Sequence, residues 1–282
     1  MKLVRALMEA PNQQSLDLEV SDVRLGLGYT AVKVEDGGVG TALTMGKEGA
    51  RGCQVFKGKW PLAGRPAGEL LALLREDDLL LRAVGLACMN ALCNRPTKVS
   101  QGPHQPKASQ GPHEPKASQG PHEPDVRRGD VLESVGIRGG KQDRAVMIGR
   151  FGPLLTPLRS RVQRLDVFDR PRSQTADTGT DPDALDALRR ADVALVSATT
   201  LINGTLDEVL DAASGCREVV LLGASTPMAP TAFAGTPVTW LSGVWVQDGP
   251  GVLQVVSEGG GMMRFKPFVQ KFNISLKGSP SA

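Results

Sequence analysis

The sequence predicts an α/β protein in which a small α+β domain is joined to a Rossmann-like, doubly wound parallel sheet domain. Residues 20–45 alternate apolar and polar side chains and precede two leucine-rich stretches, which is typical of an antiparallel sheet covered by helices. From residue 126, unbroken apolar stretches alternate strictly with amphipathic ones, which is typical of parallel strands covered on both faces. A segment rich in proline, glycine and histidine separates the two patterns. We therefore predict domains at 1–96 and 126–282 and a disordered linker at 97–125.

The first domain should begin with a helix and continue as a three-stranded meander. Residues 1–19 have the spacing of a short amphipathic helix followed by a turn. Breaks at Gly28 and at the Asp-Gly-Gly sequence 36–38 divide the alternating stretch into three strands, the last two joined by a hairpin. Two helices are predicted to follow, at 65–76 and at 79–95.

The second domain should contain five parallel strands joined by helices. Its strands are predicted at 143–151, 164–170, 191–200, 217–225 and 238–246. Its helices are predicted at 153–162, 181–191, 205–214 and 251–260, with a short one after 226–230. Thr205 and Glu208 have the spacing of a capping box at the start of the third helix.

The composition excludes several classes of function. A net charge of +3 over 282 residues, with the basic residues scattered, does not match nucleic-acid binding, which needs a concentrated basic face. The first residues lack the apolar core of a signal peptide, and no apolar run is long enough to span a membrane. Four cysteines are too few for a disulfide scaffold. We therefore expect a reduced cytoplasmic protein without a nucleic-acid or membrane partner, and a homodimer is compatible with the sequence.

A nine-residue unit, SQGPHxPKA, occurs twice in full and a third time without its last two residues within residues 100–124, and the copies carry all three histidines, His104, His113 and His122. The segment has no apolar residue larger than alanine, so it has nothing to bury that would offset the entropy of ordering. In an extended chain, successive histidines lie roughly 28 Å apart. We interpret the repeat as a spacer; a metal site made by these histidines is the alternative.

Two local motifs do not predict a site. Residues 26–31 match the G-x-G-x-x-A dinucleotide fingerprint, but a β-branched, alternating stretch follows instead of the helix that the mechanism requires. Cys88 and Cys93 lie five residues apart on a predicted helix, which rotates them by about 140° relative to each other. We therefore interpret both as core thiols and not as a metal-binding pair.

The predicted ligand site lies at the carboxyl ends of the parallel strands, where doubly wound sheets bind their ligands. The turns after the third and fourth strands are rich in hydroxyl groups and glycine and lead into helices, so they suit a carboxylate or phosphate. The two turns should lie side by side, closed from above by Tyr29 and Thr30. The turn residues concerned are Thr199, Thr200, Asn203, Gly204, Ser225 and Thr226. Ordinary capping and tight packing are the alternative explanation for each turn.

These turns resemble a known family. The stretches DVALVSATTLINGTLDEVL, VVLLGASTPMAP and LSGVWVQD, with GLGYTAV, LAGRPAGEL and GLACMNALCNR in the first half, are similar to a family whose name proposes heavy-metal chelation and whose activity is not established. The resemblance implies an enolase-amino-terminal-like domain, a Rossmann-like domain and a ligand cleft between them. It assigns Tyr29, Thr30, Asn90, Asn94, Phe151, Asp169 and the turn residues to that cleft. Arg150, Gly152 and Asp169 stand where members often have histidine, proline and glutamate.

The residue chemistry favours oxygen ligands over soft ones. Heavy metals prefer thiolate or imidazole, and both predicted domains lack histidine. Asp169 and Asn203 offer oxygen atoms, which suit magnesium or manganese bridging an anionic ligand. The remaining candidate carboxylates are more typical of loops and helix caps than of metal ligands: Asp177, Asp181 and Asp183.

Three functions therefore stay open. The first is binding of a small anionic ligand or metal complex in the cleft, with or without catalysis. The second is metal sequestration by the histidine repeat, and the third is a scaffold without a small ligand. The turn chemistry favours the first. No pairing of a nucleophile with a base is visible, so the sequence predicts no reaction.

Overall fold

The structure is a computed structural model that describes residues 2–45, 56, 59–95, 125–137, 142–169 and 180–277. The histidine repeat lies outside the described residues, as do Cys53 and Asp177. The repeat's role as a spacer, and its role as a metal site, therefore stay predictions.

A three-stranded antiparallel sheet forms the first layer. Its strands are β1 (Val20–Leu25), β2 (Tyr29–Val34) and β3 (Val39–Leu43), in the order β1-β2-β3. The helices around it are α1 (Lys2–Glu9), α2 (Gln13–Leu16), α3 (Ala67–Leu71), which continues as a 3-10 turn over Ala72–Arg75, and α4 (Leu79–Cys93). The predicted meander and both leucine-rich helices are thus present, and the G-x-G-x-x-A match opens strand β2 as expected.

Helix α4 packs directly on the small sheet. Asp78 starts the helix, because its carboxylate accepts hydrogen bonds from the amides of Leu80 and Leu81 at 2.8 and 3.1 Å. A Cβ atom at Gly40 of β3 would lie 2.0 Å from the backbone nitrogen of Ala91. This contact requires glycine at position 40 and brings the edge strand β3 against the helix.

A seven-stranded mixed sheet forms the second layer, in the order β4-β10-β9-β8-β7-β5-β6. Its five parallel strands are β5 (Arg144–Ile148), β6 (Arg164–Phe168), β7 (Val193–Ser197), β8 (Glu218–Leu222) and β9 (Trp240–Val246). Two antiparallel strands, β4 (Val126–Arg128) and β10 (Val269–Ser275), complete one side. The parallel strands match the prediction. The two antiparallel strands were missed, because β4 has three residues and polar residues, among them Lys271 and Asn273, interrupt the apolar character of β10.

Helices connect these strands. They are α5 (Val131–Ser134), α6 (Gly152–Arg161), α7 (Pro182–Leu188), α8 (Thr200–Asn203), α9 (Leu206–Ala212), α10 (Gly249–Ser257) and α11 (Met262–Phe265), with a 3-10 turn at Pro230–Phe233. Strand β5 lies between β6 and β7, so the chain first crosses from β5 to β6 and then returns past β5 to β7 on its other side. This reversal of strand order marks a topological switch point, where the chain opens a crevice at the carboxyl edge of the sheet.

One hydrophobic cluster joins the two layers. It contains Leu7 of α1 and Leu86 of α4 together with Val196 of β7 and Leu201 of α8, each at most 2% exposed. The amino-terminal layer is therefore packed against the large sheet, and the division of the chain into two domains stays a prediction. None of the helices in the described ranges has the length and apolar character needed to span a membrane.

Candidate functional site

A cavity of about 720 Å³ lies at the carboxyl edge of the large sheet, beneath the small sheet. Its floor comes from the turns after β5, β7 and β8. Its roof includes Tyr29 of β2, Leu43 of β3 and Met45. The volume lies in the range of about 300–1,000 Å³ that is typical of small-molecule sites.

The ring of Phe151 covers part of the floor. Gly149 and Gly223 follow β5 and β8 with φ angles of +84° and +117°, which favour glycine. Cβ atoms at these two positions would lie 3.8 and 3.6 Å from carbons of the Phe151 ring. The ring therefore bridges the ends of two strands that flank β7.

Helix α6 offers few amide donors to a ligand, although it begins at the switch point. Pro153 has no N–H, and the Leu154 amide donates to the Phe151 carbonyl at 2.9 Å. The first turn of α6 therefore supplies fewer amide donors to an anion than the helix starts that bind phosphate in dinucleotide-binding folds.

The turn after β7 satisfies many of its own hydrogen bonds. The Thr199 amide donates to Ser197 Oγ at 3.3 Å, and the two hydroxyl groups lie 2.8 Å apart. Thr200 Oγ1 donates to the Ser197 carbonyl at 2.7 Å. The amides expected to bind an anion are thus largely engaged within the turn, and an anion would instead contact side chains.

Hydrogen bonds from Thr205 fix the orientation of the Asn203 side chain. Its Oδ1 accepts hydrogen bonds from the backbone amide of Thr205 at 3.1 Å and from the Thr205 hydroxyl at 2.8 Å. A backbone amide only donates, so Oδ1 is fixed and Nδ2 remains as the group available to a ligand. Asn203 therefore acts as a donor in the cavity.

The capping box predicted from Thr205 and Glu208 is wrong. Thr205 has helical backbone angles (φ −92°, ψ −4°) and makes no capping hydrogen bond from its side chain. Glu208 instead accepts the Thr180 amide at 3.1 Å. Gly204, with φ +78°, ends the four-residue helix α8, so the chain enters α9 from a tight turn whose polar groups are already paired.

Five charged side chains line the cavity. The cations are Arg150, after β5, and Lys271, on β10. The anions are Asp130, Asp169 and Asp181. One oxygen of Asp130 accepts the Leu132 amide at 2.9 Å, and one of Asp181 accepts the Asp183 amide at 3.0 Å, so Asp181 is a helix cap as expected. Within the described ranges, none of the five forms an ion pair with another residue.

The cavity brings together six of the residues named from the sequence: Tyr29, Phe151, Asp169, Thr199, Thr200 and Asn203. Five others lie outside its lining: Thr30, Asn90, Gly204, Ser225 and Thr226. Thr30 is fully buried, with its hydroxyl 3.1 Å from that of Thr44. Asn94 is also buried, at 8% exposure. Ser225 and Asn90 bind the edge of β3 and not the cavity.

Sequence reasoning missed several lining residues. Lys271 lies on β10, a strand that was not predicted, so no signal placed it at the site. Ser197 is the last residue of strand β7, and Asp130 caps helix α5, which was not predicted. Met262 and Met263 of α11 also line the cavity, and they add apolar, adaptable surface near its mouth.

The described thiols do not fit a heavy-metal site. Burial raises the pKa of Cys88 to about 12, and burial raises the pKa of Cys93 to about 12. The pKa of Cys216 is raised to about 11, first by burial and then by Asp192. None of the three lines the cavity, and a metal at any of them would have to displace a proton that burial holds on the sulfur. No group of three histidine, cysteine, aspartate or glutamate side chains that could hold a metal ion occurs in the described part.

The profile of the DUF364 family, described as "Putative heavy-metal chelation", matches residues 130–275. This chain belongs to the DUF364 family. A second profile with the same description, DUF4213, matches residues 9–93. The resemblance noted from the turns is thereby confirmed, and the heavy-metal role rests on the family description alone.

Relatives of this DUF364 protein match nearly its whole length. An uncharacterised protein of Methanocaldococcus jannaschii is 24% identical over 277 residues, which cover 94% of this chain and 93% of that protein. A DUF364 protein of unknown function from Pyrococcus horikoshii has a similar crystal structure, with a TM-score of 0.71, 21% identity, and coverage of 97% and 98%. The crystal structure of a DUF364 protein of unknown function from Desulfitobacterium hafniense has a TM-score of 0.68 and 18% identity. It covers 97% of this chain and 96% of that chain. At these identities the likeness shows the fold.

Proposed function

We propose that this DUF364 protein is a cytoplasmic binding protein that holds a small organic anion, alone or as a metal complex, in the cavity beneath the small sheet. The observation that carries the proposal is the cavity itself: it lies at the topological switch point and is lined by residues of both layers. Its walls are mostly apolar, with a few polar groups facing inward, which is typical of sites for organic ligands.

The charges support a ligand with both an anionic part and a cationic part. Arg150 and Lys271 supply two positive charges, and Lys271 lies four strand positions from β5, or about 19 Å away at about 4.8 Å per strand. Asp169 and Asp181 lie on the β6 side of the cavity. A metal–organic complex or a zwitterion would satisfy both signs, whereas a simple anion would satisfy only one.

A metal would therefore enter with its own organic ligand. The described cysteines lie outside the cavity lining, so they do not supply the thiolate that soft metals prefer. Asp169 and the second oxygen of Asp181 offer hard oxygen atoms, which can complete the coordination of a metal whose preferred ligands come from its own organic carrier. This version of the proposal reconciles the family description with the donor atoms of the cavity.

The proposal is tested on untagged protein purified without added metal. Native mass spectrometry and elemental analysis should detect a small molecule retained by the wild type. Arg150→Met and Lys271→Met should each weaken its retention. Arg150→Met should also weaken binding of the anionic dye 8-anilinonaphthalene-1-sulfonate by about tenfold or more, because it removes a charge-assisted contact with the single sulfonate that is worth roughly 1.5–3 kcal/mol.

Two matched variants provide the control. Arg159→Met and Lys266→Met remove exposed cations that do not line the cavity, so dye affinity should stay at the wild-type value. Equal loss of affinity in the control and cavity variants would show that the dye reports overall charge. A wild type that retains no small molecule and binds no dye would refute the proposed function.

A further inference from the structure

The edge of strand β3 is closed by side chains from two other elements. β3 is the last strand of the small sheet, so the backbone groups on its outer side have no partner strand. Asn90 Nδ2 of α4 donates to the Thr41 carbonyl at 2.7 Å. Ser225 Oγ accepts the Leu43 amide at 2.9 Å, and Thr41 Oγ1 donates to the Ala224 carbonyl at 3.2 Å. We call Thr41, Leu43, Asn90, Ala224 and Ser225 the polar seam.

The seam is shielded from water. Thr41, Asn90 and Ser225 are 2%, 3% and 3% exposed. A hydrogen bond in such a place is costly to lose, because water cannot replace the missing partner. The seam therefore holds β3 at a fixed distance from the turn after β8.

The seam is also the junction between the roof and the floor of the cavity. Leu43 belongs to the roof and Ala224 to the floor, and both line the cavity. The Leu43 amide points into the seam, while its side chain contributes to the cavity wall. Any change in the seam thus alters the spacing of the surfaces that face a ligand.

We propose that Ser225 and Thr41 are positioning residues that set the height of the roof above the floor, so that the cavity is formed before its ligand arrives. This inference rests on the proposed function for its ligand-binding consequence, but not for its geometry. Ser225 contacts no ligand in this scheme: its hydroxyl acts through Leu43. The same applies to Thr41, which acts through Ala224.

Hydrogen exchange tests the geometry without a ligand. In Ser225→Ala, the Leu43 amide loses its acceptor and should exchange at least tenfold faster than in the wild type, measured residue by residue by NMR. Amides of the buried strand β8, such as that of Val220, should keep their wild-type rates. Unchanged exchange at Leu43 would overturn the inference.

Dye binding tests the functional consequence. Ser225→Ala and Thr41→Val should each raise the dissociation rate of 8-anilinonaphthalene-1-sulfonate about fivefold. Thr41→Ser, which keeps the hydroxyl, should restore the wild-type rate, and a failure to restore it would overturn the role of the hydroxyl.

A stability-matched control separates positioning from general destabilisation. Thr239 lies at the opposite edge of the sheet, where its hydroxyl accepts the Val219 amide at 3.0 Å and donates to Glu218 at 2.9 Å. Thr239→Val should destabilise the fold without changing dye release. If it accelerates release as much as Ser225→Ala does, the seam has no special role. If the wild type binds no dye, the proposed function fails, and exchange at Leu43 still decides whether Ser225 positions the roof.

Discussion

The two edges of the large sheet treat their charged residues in opposite ways. At the amino edge, Asp143 is fully buried and accepts a hydrogen bond from Arg217 at 2.8 Å. Glu218, 1% exposed, is paired with Lys277 and accepts from Thr239. At the carboxyl edge, the five charged side chains of the cavity make no ion pairs within the described chain.

The paired charges of the amino edge contribute to the stability of the fold, whereas the charges of the carboxyl edge are available for ligand binding. A buried carboxylate is tolerated only when its charge is compensated inside the protein, as at the amino edge. Charges that line a solvent-filled cavity keep part of their hydration and can be compensated by a ligand. The amino edge should therefore respond to mutation through the stability of the fold, and the carboxyl edge through affinity.

The largest expected change in the free energy of unfolding comes from a mutation at the amino edge. The hydrogen bond to Asp143 is the main cause that raises the pKa of Arg217. Arg217→Met leaves the Asp143 carboxylate buried without this cation and should lower the free energy of unfolding by about 2–3 kcal/mol. Urea unfolding followed by tryptophan fluorescence measures the change.

The matched variant at the other edge is Arg150→Met. It should change the free energy of unfolding by less than about 0.5 kcal/mol, as exposed substitutions usually do, while dye affinity falls. Equal losses of stability in the two arginine variants would remove the distinction between the edges.

A smaller effect is expected from alkaline pH, also at the amino edge. Cys216 precedes Arg217, and its folded pKa of about 11 lies above the value of about 8.5 expected for an unfolded chain. Between these values the unfolded state has released the thiol proton and the folded state has not, so stability falls as pH rises. Because the thiol is partly exposed, screening should limit the loss to on the order of 1 kcal/mol by pH 10.5.

Cys216→Ser isolates this contribution, since a serine hydroxyl does not titrate in the range. The slope of unfolding free energy against pH between 8 and 10.5 should be shallower in the variant, measured by urea unfolding at each pH. Identical slopes would show that Cys216 is not the group responsible. Dye affinity at pH 8 should be the same in both proteins.

The smallest effect is expected from the repeat, which by its composition should serve neither edge. Deletion of residues 100–117, two complete units, should shift the thermal midpoint by no more than about 1 °C, because the segment has no side chains to bury. A shift of several degrees would contradict the spacer interpretation. Replacing His104, His113 and His122 by glutamine should leave any stoichiometric metal in place, and its loss would favour sequestration by the repeat.

The parallel strands could be predicted because a strand buried on both faces appears in the sequence as an unbroken run of apolar residues. Strand β7, Val-Ala-Leu-Val-Ser, is buried throughout, and helix α4 shows both its apolar length and its capping aspartate. Strand β10 could not be predicted in the same way. Lys271 and Asn273 interrupt its apolar character, and it is a strand only because β9 and β4 pair with it.

The place of the cavity could be predicted from the sequence, but the directions of the side chains around it could not. Ligand turns follow strand ends, so the turns after β7 and β8 could be located from the sequence. Which way a hydroxyl points depends on partners that are distant in the chain: Ser225 faces Leu43, 182 residues away. The prediction that Ser225 would line the cavity treated the turn as a free surface, whereas the structure uses it to close an edge strand.

The hydrogen bonds that close the edge of β3 also limit how the chain can be cut into fragments or joined into chimaeras with its relatives. Two profiles match its two parts separately, yet the first part ends its sheet with a strand whose outer amide is satisfied by Ser225 of the second. Expressed by itself, residues 1–96 would present an unprotected strand to other copies, which is a template for aggregation. We therefore expect the first part to stay soluble only in the presence of the second, and chimaeras between relatives would have to exchange strand β3 and the turn after β8 together.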